Sequence, residues 1–212
     1  MNSVIIRSLG LRDYGEMWEA MKAFTDSRNE STLDELWLTQ HPAVYTQGQA
    51  GKTEHLLNPG TIPIQKIDRG GQVTYHGPGQ LIAYTLFDLR RLNLSPRQLV
   101  NRIENTTIAL LAQLDIQARS KPEAPGIYVE KAKIGSIGLR IRKGCSYHGL
   151  ALNVDMDLEP FKRINPCGCR GLEMTQIKDL SPEVHYSEIE DAIIPYFLEN
   201  FGYNQHQFLT TL

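Results

Sequence analysis

Four glycines and a proline stand among the twelve residues Arg69–Gln80, which read RGGQVTYHGPGQ. Glycine costs backbone entropy in regular structure, so this cluster marks a place where the shape of the main chain matters. Glycine lets the backbone approach a ligand closely, although two ordinary turns around a short strand explain the same pattern. The segment is not a standard phosphate-binding loop, because no Gly-Lys-Ser/Thr follows it and no helix clearly begins there.

Short runs bounded by Gly, Pro or Asn predict strands on both sides of this segment. The predicted strands are Val4–Ser8, Glu35–Leu38, Ala43–Tyr45, Ile62–Ile67, Gln72–Tyr75, Leu81–Leu89, Ile127–Val129, Ile134–Ile141 and Ser146–Val154. Helical spacing follows Asp13 and Ser95-Pro96, which act as helix starts, and appears again over Ser187–Phe201. Strands separated by a few helices predict an α+β fold, with helices packed on a mixed sheet.

The size and charge of the chain limit its class. At roughly 150 residues per domain, 212 residues predict a single domain over residues 1–212. The net charge of −2 argues against a general nucleic-acid binder. No signal pattern opens the chain, and no run approaches the roughly 18 apolar residues of a membrane helix, so we expect no membrane partner. Three cysteines, an odd number, favour reduced thiols in the cytoplasm.

One of these cysteines stands in a turn sequence, Asn165-Pro166-Cys167-Gly168. Structural cysteines usually lie on apolar faces, as the strand setting of Cys145 suggests for that residue. Cys167 is therefore the better candidate for a reactive thiol. A cysteine nucleophile reacts as its thiolate, and a neighbouring cation favours that form.

Three side chains are candidates for the partner of this thiol: Lys133, His76 and His148. The small neighbours of Lys133 leave room for a substrate beside the ammonium group, but on the residues alone a solvated surface lysine is the favoured interpretation. On the residues alone, the favoured interpretation of the two histidines is that they are hydrogen-bonded structural residues.

A zinc site is the other chemistry that cysteines suggest. Cys167 and Cys169 are separated by one residue, whereas structural zinc sites normally use spacers of two to four residues and four ligands. No second close pair exists in the sequence. We therefore predict no metal.

Taken in order, four motifs resemble the lipoyl(octanoyl) transferase family. They are Arg69–Gln80 (RGGQVTYHGPGQ), Lys133–Gly138 (KIGSIG), His148–Val154 (HGLALNV) and Asn165–Gly168 (NPCG). Weaker similarity runs from the N-terminal helix through Thr46-Gln47-Gly48 to about residue 180. The resemblance implies a biotin/lipoate protein ligase-like fold, a mixed β-sheet flanked by helices.

The resemblance also implies an activity and its site. The family moves an octanoyl group from octanoyl-acyl carrier protein to a lysine of lipoyl domains, in the E2 subunits of 2-oxoacid dehydrogenases and in the glycine cleavage H protein, without a cofactor. The nucleophile maps onto Cys167 and its partner onto Lys133. Substrate contacts map onto Arg69, Gly70, Gly71, Gln72, Val73, Thr74, Tyr75, His76, Ser136, Ile137, Gly138, Gly149, Leu150 and Ala151. Gly135 stands where the family often has alanine or cysteine, and Cys169 lies outside its motif.

The implied mechanism carries the acyl group as a thioester on Cys167, with Lys133 holding the thiolate and later accepting a proton from the acceptor amine. Three alternatives stay open: an ATP-dependent lipoate or biotin ligase of the same fold, a non-catalytic acyl or lipoyl binding module, and a papain-like hydrolase using His76 or His148. The basic run Arg140, Arg142 and Lys143 is either a docking site for acidic partners or the solvated face of a strand.

Overall fold

The structure is a computed structural model that describes residues 2–212. The strands are β1 (Ser3–Leu11), β2 (Asp34–Gln40), β3 (Val44–Gln47), β4 (Ile64–Lys66), β5 (Val73–His76), β6 (Gln80–Leu86), β7 (Ala118–Ser120), β8 (Ile127–Val129), β9 (Ala132–Arg142), β10 (Cys145–Asn153) and β11 (Gln205–Leu209). The helices are α1 (Tyr14–Ser27), α2 (Pro96–Gln113), α3 (Ile177–Leu180) and α4 (Tyr186–Phe201).

Two sheets organise the chain. The larger has the strand order β11-β1-β2-β6-β10-β9-β8-β7, and the smaller has the order β4-β3-β5. The larger sheet is mixed. β1 runs parallel to both of its neighbours, β2 and β11, while each neighbouring pair along the series β2-β6-β10-β9-β8-β7 is antiparallel. This architecture confirms the predicted α+β class.

Helices cover both faces of the larger sheet. Leu36 and Leu38 of β2 point into the main core, which also contains the apolar faces of α2 and α4. Trp37, between them, points to the opposite face and packs in the cluster that holds Met17 and Met21 of α1. This alternation is the two-residue period of a strand, so β2 is buried on both faces.

The predicted helix starts are confirmed. The side chain of Asp13 accepts a hydrogen bond from the Glu16 N–H at 3.0 Å, and Ser95 forms a capping box with Gln98 ahead of Pro96. Three short elements, β7, α3 and β11, were not predicted. The predicted strand Leu81–Leu89 is too long, because the Asp88 carboxylate accepts the N–H groups of Arg90 and Arg91 and turns the chain.

Gly79 explains one part of the glycine-rich segment. Its φ of +83° lies in the left-handed region, and a Cβ at this position would overlap the carbonyl oxygen of Asp155. The Gly79 carbonyl in turn accepts the Asp155 N–H at 2.9 Å. The turn between β5 and β6 is therefore held against the end of β10 by contacts that exclude a side chain.

Candidate active site

Cys167 lies in the short 3₁₀ turn Pro166–Gly168 and has a left-handed backbone, with φ of +56°. Left-handed φ is uncommon outside glycine, and such residues concentrate at functional sites. The turn is closed by the Gly168 N–H, which donates to the Asn165 carbonyl at 2.9 Å. Asn165 is itself anchored, because its N–H donates to the His55 carbonyl at 2.8 Å. The half-buried thiol is thus held by a turn that is fixed at its base.

Lys133 faces this thiol. Its Nζ lies 3.2 Å from Cys167 Sγ and 3.0 Å from the Pro125 carbonyl oxygen, and the residue is 2% exposed. The interpretation of Lys133 as a solvated surface lysine is therefore wrong. The edge of β9 is covered there by the returning chain, since the Lys133 N–H donates to the Glu173 carbonyl at 2.8 Å and the Thr175 N–H donates to the Lys133 carbonyl at 3.0 Å.

A cavity of about 420 Å³ opens beside these two residues. This volume is within the range typical of small-molecule sites. The structure brings thirteen of the fourteen predicted substrate-contacting residues to its wall. They are Arg69, Gly70, Gly71, Gln72, Val73, Thr74, His76, Ser136, Ile137, Gly138, Gly149, Leu150 and Ala151.

Tyr75 is the predicted residue that the structure does not bring to the cavity. It packs against Tyr45 and Phe161, with ring centroids 5.6 and 5.4 Å away. Side chains alternate along β5, so Thr74 and His76 reach the cavity while Tyr75 points away from it. Tyr75 therefore stabilises the glycine-rich segment Arg69–Gln80 by packing on the side away from the cavity.

His76 lines the cavity, but both of its ring nitrogens are occupied. Nδ1 lies 2.8 Å from Gln80 Oε1, and Nε2 lies 3.2 Å from Thr46 Oγ1. The Gln80 amide donates to Asn153 Oδ1 at 2.9 Å, so its oxygen faces the histidine and Nδ1 carries the proton. Burial holds the pKa of His76 well below its ordinary value, so the ring is neutral at pH 7. It is not the partner of Cys167.

His148 has a left-handed backbone, with φ of +61°, and its Nε2 lies 3.1 Å from Asp68 Oδ1. Asp68 also accepts hydrogen bonds from Trp18 Nε1, at 2.7 Å, and from the Tyr147 hydroxyl. Burial opposes ionisation of Asp68, but these hydrogen bonds outweigh it and lower its pKa. Burial also lowers the pKa of His148. His148 is thus a neutral ring held by a carboxylate, with no hydrogen bond to Cys167 among residues 2–212.

Arg69 places a buried positive charge at the cavity wall. It is 7% exposed, and its guanidinium donates to the Thr46 carbonyl at 2.7 Å and to the Gly70 carbonyl at 2.9 Å. No ion pair within residues 2–212 includes Arg69. Burial lowers the pKa of Arg69, yet an arginine stays protonated in proteins. Arg69 and Lys133 together favour an anion in the cavity.

Several residues of the cavity were missed by sequence reasoning. Tyr14, Tyr84 and Tyr128 line it, and His41 supports it from behind through a 2.7 Å hydrogen bond between its Nε2 and the Tyr84 hydroxyl. Asp68 was also missed. The three tyrosines and His41 come from distant elements and meet only in the folded chain. Asp68 directly precedes the Arg69–Gln80 motif, but its partners Trp18, Tyr147 and His148 reach it only through folding.

The other two thiols differ in their exposure. Cys145 is buried at the start of β10, as its structural interpretation predicts, and Cys169 is exposed at the cavity rim.

In the part of the chain that the structure describes, no group of three or more His, Cys, Asp or Glu side chains is arranged to hold a metal ion. None of the described helices is long and apolar enough to span a bilayer.

A thiol beside an ammonium group at the wall of a cavity is an arrangement suited to acyl transfer. Fold and site thus define an acyltransferase. The chain belongs to the lipoyl protein ligase A/B catalytic domain family, which it matches over residues 13–198. The family and the enzyme class predicted from the sequence are confirmed.

Known proteins support this assignment in sequence and in fold. An octanoyltransferase of Pseudomonas syringae pv. syringae (strain B728a) is 58% identical over 204 residues, which cover 96% of this chain and 94% of that protein. The lipoate protein ligase of Thermoplasma acidophilum, from a study of a bipartite ligase and its E2 lipoyl domain, superposes with a TM-score of 0.76 at 18% identity, covering 99% of this chain and 88% of that one. The biotin protein ligase of Aquifex aeolicus superposes with a TM-score of 0.58 at 13% identity, covering 95% of this chain and 71% of that one. These likenesses confirm the predicted fold class.

Proposed function

We propose that this chain, acting as a single domain over residues 1–212, transfers an octanoyl group from acyl carrier protein to a lysine of lipoyl domains through a thioester on Cys167. The observation that carries the proposal is the 3.2 Å contact between Lys133 Nζ and Cys167 Sγ at the rim of the cavity. Relatives named octanoyltransferases supply the identity of the acyl group.

In the first half-reaction the Cys167 thiolate attacks the carbonyl carbon of the carrier's octanoyl thioester. A new C–S bond forms to Cys167, and the C–S bond to the carrier thiol breaks. The leaving thiolate takes a proton from the Lys133 ammonium, which becomes neutral. No ATP is needed, because a thioester is already activated.

In the second half-reaction the amine of the acceptor lysine attacks the acyl-enzyme. A C–N bond forms, the C–S bond to Cys167 breaks, and neutral Lys133 accepts the proton that the amine loses. The ion pair of ammonium and thiolate is restored. Lys133 therefore donates a proton in one half-reaction and accepts one in the other.

The developing oxyanion needs a hydrogen-bond donor. The Gly168 N–H is already donated to the Asn165 carbonyl, so it is not free for this role in the resting enzyme. An ammonium group has three N–H donors, and two of those on Lys133 face Pro125 and Cys167. We assign the third to the oxyanion.

The partners follow from this reaction. Octanoyl-acyl carrier protein is the donor, and lipoyl domains of 2-oxoacid dehydrogenase E2 subunits and of the glycine cleavage H protein are the acceptors. We place the reaction in the cytoplasm, which the three free thiols of the chain support.

The basic run at the end of β9 is a weak candidate for docking these partners. Arg142 and Lys143 both pair with Asp26, at 3.0 and 3.4 Å, so part of their charge is neutralised within the chain. Arg140 is half-buried on β9. If the run docks the carrier, Arg140→Glu together with Arg142→Glu lowers the transfer rate and weakens its salt dependence.

The first experiment is to incubate the protein with octanoyl-acyl carrier protein, without ATP or acceptor, and to measure its intact mass before peptide mapping. We expect one octanoyl adduct on Cys167 that disappears when a lipoyl domain is added. No adduct, together with ATP-dependent labelling of the lipoyl domain by free octanoate, would establish a ligase instead. Release of free octanoate into water would indicate a hydrolase, and binding without any adduct a non-catalytic module.

A further inference from the structure

Glu104 is a buried carboxylate that the proposed reaction does not use. It lies on α2 beside the buried side chain of Ile103 and is 6% exposed. Burying a carboxylate is unfavourable unless it is paired or hydrogen-bonded. None of the ion pairs formed within residues 2–212 includes Glu104. The burial of the Glu104 carboxylate is therefore not compensated by an ion pair within these residues, and its hydrogen bonds must account for it.

A single peptide group connects Glu104 to the site. The Gly126 N–H donates to Glu104 Oε1 at 2.9 Å, and the Pro125 carbonyl oxygen accepts from Lys133 Nζ at 3.0 Å. This N–H and this carbonyl belong to the same peptide bond. The carboxylate thus polarises the peptide toward the ammonium, and hydrogen bonds in such a chain strengthen one another.

Gly126 is the residue that permits this arrangement. Its φ is +138°, and a Cβ at this position would overlap Lys133 Cε and lie 2.9 Å from Lys133 Nζ. The lysine side chain therefore runs directly over the glycine on its way to Cys167. A Cβ there would also lie 2.8 Å from the Gly135 carbonyl oxygen, so a side chain at position 126 would force either the lysine side chain or the backbone of β9 to move.

We propose that Glu104 is a positioning residue for Lys133, acting through the Pro125–Gly126 peptide, which it fixes so that the ammonium is directed at Cys167. This inference rests on the proposed function only for what the ammonium then does in acyl transfer. The geometric claim concerns the resting enzyme.

Two substitutions separate the hydrogen bond from the charge. Glu104→Gln keeps an oxygen that accepts the Gly126 N–H, whereas Glu104→Leu removes the acceptor at similar volume. Both are made in a Cys169→Ser background, and Cys167 is alkylated with iodoacetamide at pH 7, where the rate reports its thiolate fraction. We expect Glu104→Leu to slow alkylation about tenfold, the cost of losing one charge-assisted hydrogen bond, and Glu104→Gln to slow it less.

The decisive measurement repeats Glu104→Leu in a Lys133→Met background. If Glu104 acts through Lys133, the substitution no longer changes the alkylation rate there, because no ammonium remains to be positioned. An equal fall in both backgrounds, or wild-type alkylation of Glu104→Leu, would overturn the proposal and leave Glu104 a packing residue of α2.

A second variant guards against a loss of fold in Glu104→Leu. Gly126→Ala displaces the lysine directly, whereas Gly10→Ala places a side chain at another positive φ, +65°, with nothing within 4 Å. We expect slow alkylation for Gly126→Ala alone. Equal rates for the two would contradict the premise of the proposal, that the position of Lys133 over the Pro125–Gly126 peptide sets the reactivity of Cys167. Alkylation needs no acyl donor. A wild-type protein that alkylates rapidly but never takes octanoate from the carrier would therefore count against the proposed function, not against the role of Glu104.

Discussion

Lys133 Nζ lies 3.2 Å from Cys167 Sγ, and one stretch of chain holds both residues in place. The segment that returns from the Cys167 turn pairs with the backbone of Lys133 on both sides, through the Glu173 carbonyl and the Thr175 N–H. Lys133 is therefore tied to the segment that follows the thiol in the chain, while the turn that carries the thiol is fixed at Asn165 by its hydrogen bond to the His55 carbonyl. This coupling explains how a turn residue and a strand residue, far apart in sequence, keep a fixed distance.

The two neighbouring thiols are expected to differ in function. Cys167→Ser should lower octanoyl transfer by at least about a thousandfold, because the thiolate nucleophile is lost. Cys169→Ser, the matched control two residues away, should leave transfer near the wild-type rate, since Cys169 is exposed and makes no hydrogen bond to Lys133 among residues 2–212. Single-turnover transfer to a lipoyl domain measures both, and near-wild-type turnover by Cys167→Ser would remove the thioester mechanism.

Replacing the Lys133 ammonium should slow the reactions of the Cys167 thiol without abolishing them. Lys133→Met keeps a long side chain in the buried site but loses the charge that stabilises the thiolate. We expect alkylation of Cys167 at pH 7 to slow about tenfold or more. Lys131→Met, an exposed lysine on the preceding turn, is the control and should react like wild type. Equal rates for the two variants would show that Lys133 does not hold the thiolate.

The fold was largely predictable from local patterns. Asp13 and Ser95 mark helix starts through cap hydrogen bonds that depend only on neighbouring residues. The missed strand β11 (Gln205–Leu209) carries no such signal, because it is almost wholly exposed and is defined by its pairing with β1. An element that exists through long-range pairing is not visible in its own sequence.

The residues of the candidate site also differ in whether the sequence alone could predict them. Cys167 was identifiable because a Pro-Cys-Gly turn excludes a packed helix or strand. Lys133 looked exposed by its neighbours alone, since its burial comes from the segment around Met174, which forms a parallel bridge with it. Glu104 and Gly126 could not be identified for the same reason, because only the folded chain places the Pro125–Gly126 peptide between Glu104 and Lys133.

Gly79 should be among the least replaceable residues outside the cavity. A Cβ there would overlap the Asp155 carbonyl oxygen, which is backbone and cannot move aside cheaply. We expect Gly79→Ala to lower the free energy of unfolding by about 3 kcal/mol or more, in the range of severe backbone clashes. Gly10→Ala should cost only about 1 kcal/mol, since it has a similar positive φ but open space around it. Urea denaturation gives both values, and equal losses would contradict the role of the contact.

His41 should make the stability of the protein depend on pH. Its ring is fully buried, with Nδ1 2.7 Å from the Arg12 carbonyl oxygen and Nε2 2.7 Å from the Tyr84 hydroxyl, and this burial favours the neutral form. Burial lowers the pKa of His41 to about 4, although the Arg12 carbonyl opposes the shift. In the unfolded chain the pKa returns to about 6.5, so the unfolded state binds the proton first as the pH falls.

The stabilisation contributed by neutral His41 is therefore complete above about pH 6.5 and is lost as the pH falls toward 4, by up to about 3 kcal/mol. His41→Gln removes the titrating ring, so the free energy of unfolding measured by urea at pH 7, 6, 5 and 4 should fall less steeply than in wild type. His206→Gln, at an exposed position of β11, serves as the control and should keep the wild-type slope. The buried rings of His76 and His148 leave part of the slope in every variant, because burial lowers the pKa of each. An unchanged slope in His41→Gln would mean that His41 takes up its proton without unfolding the site.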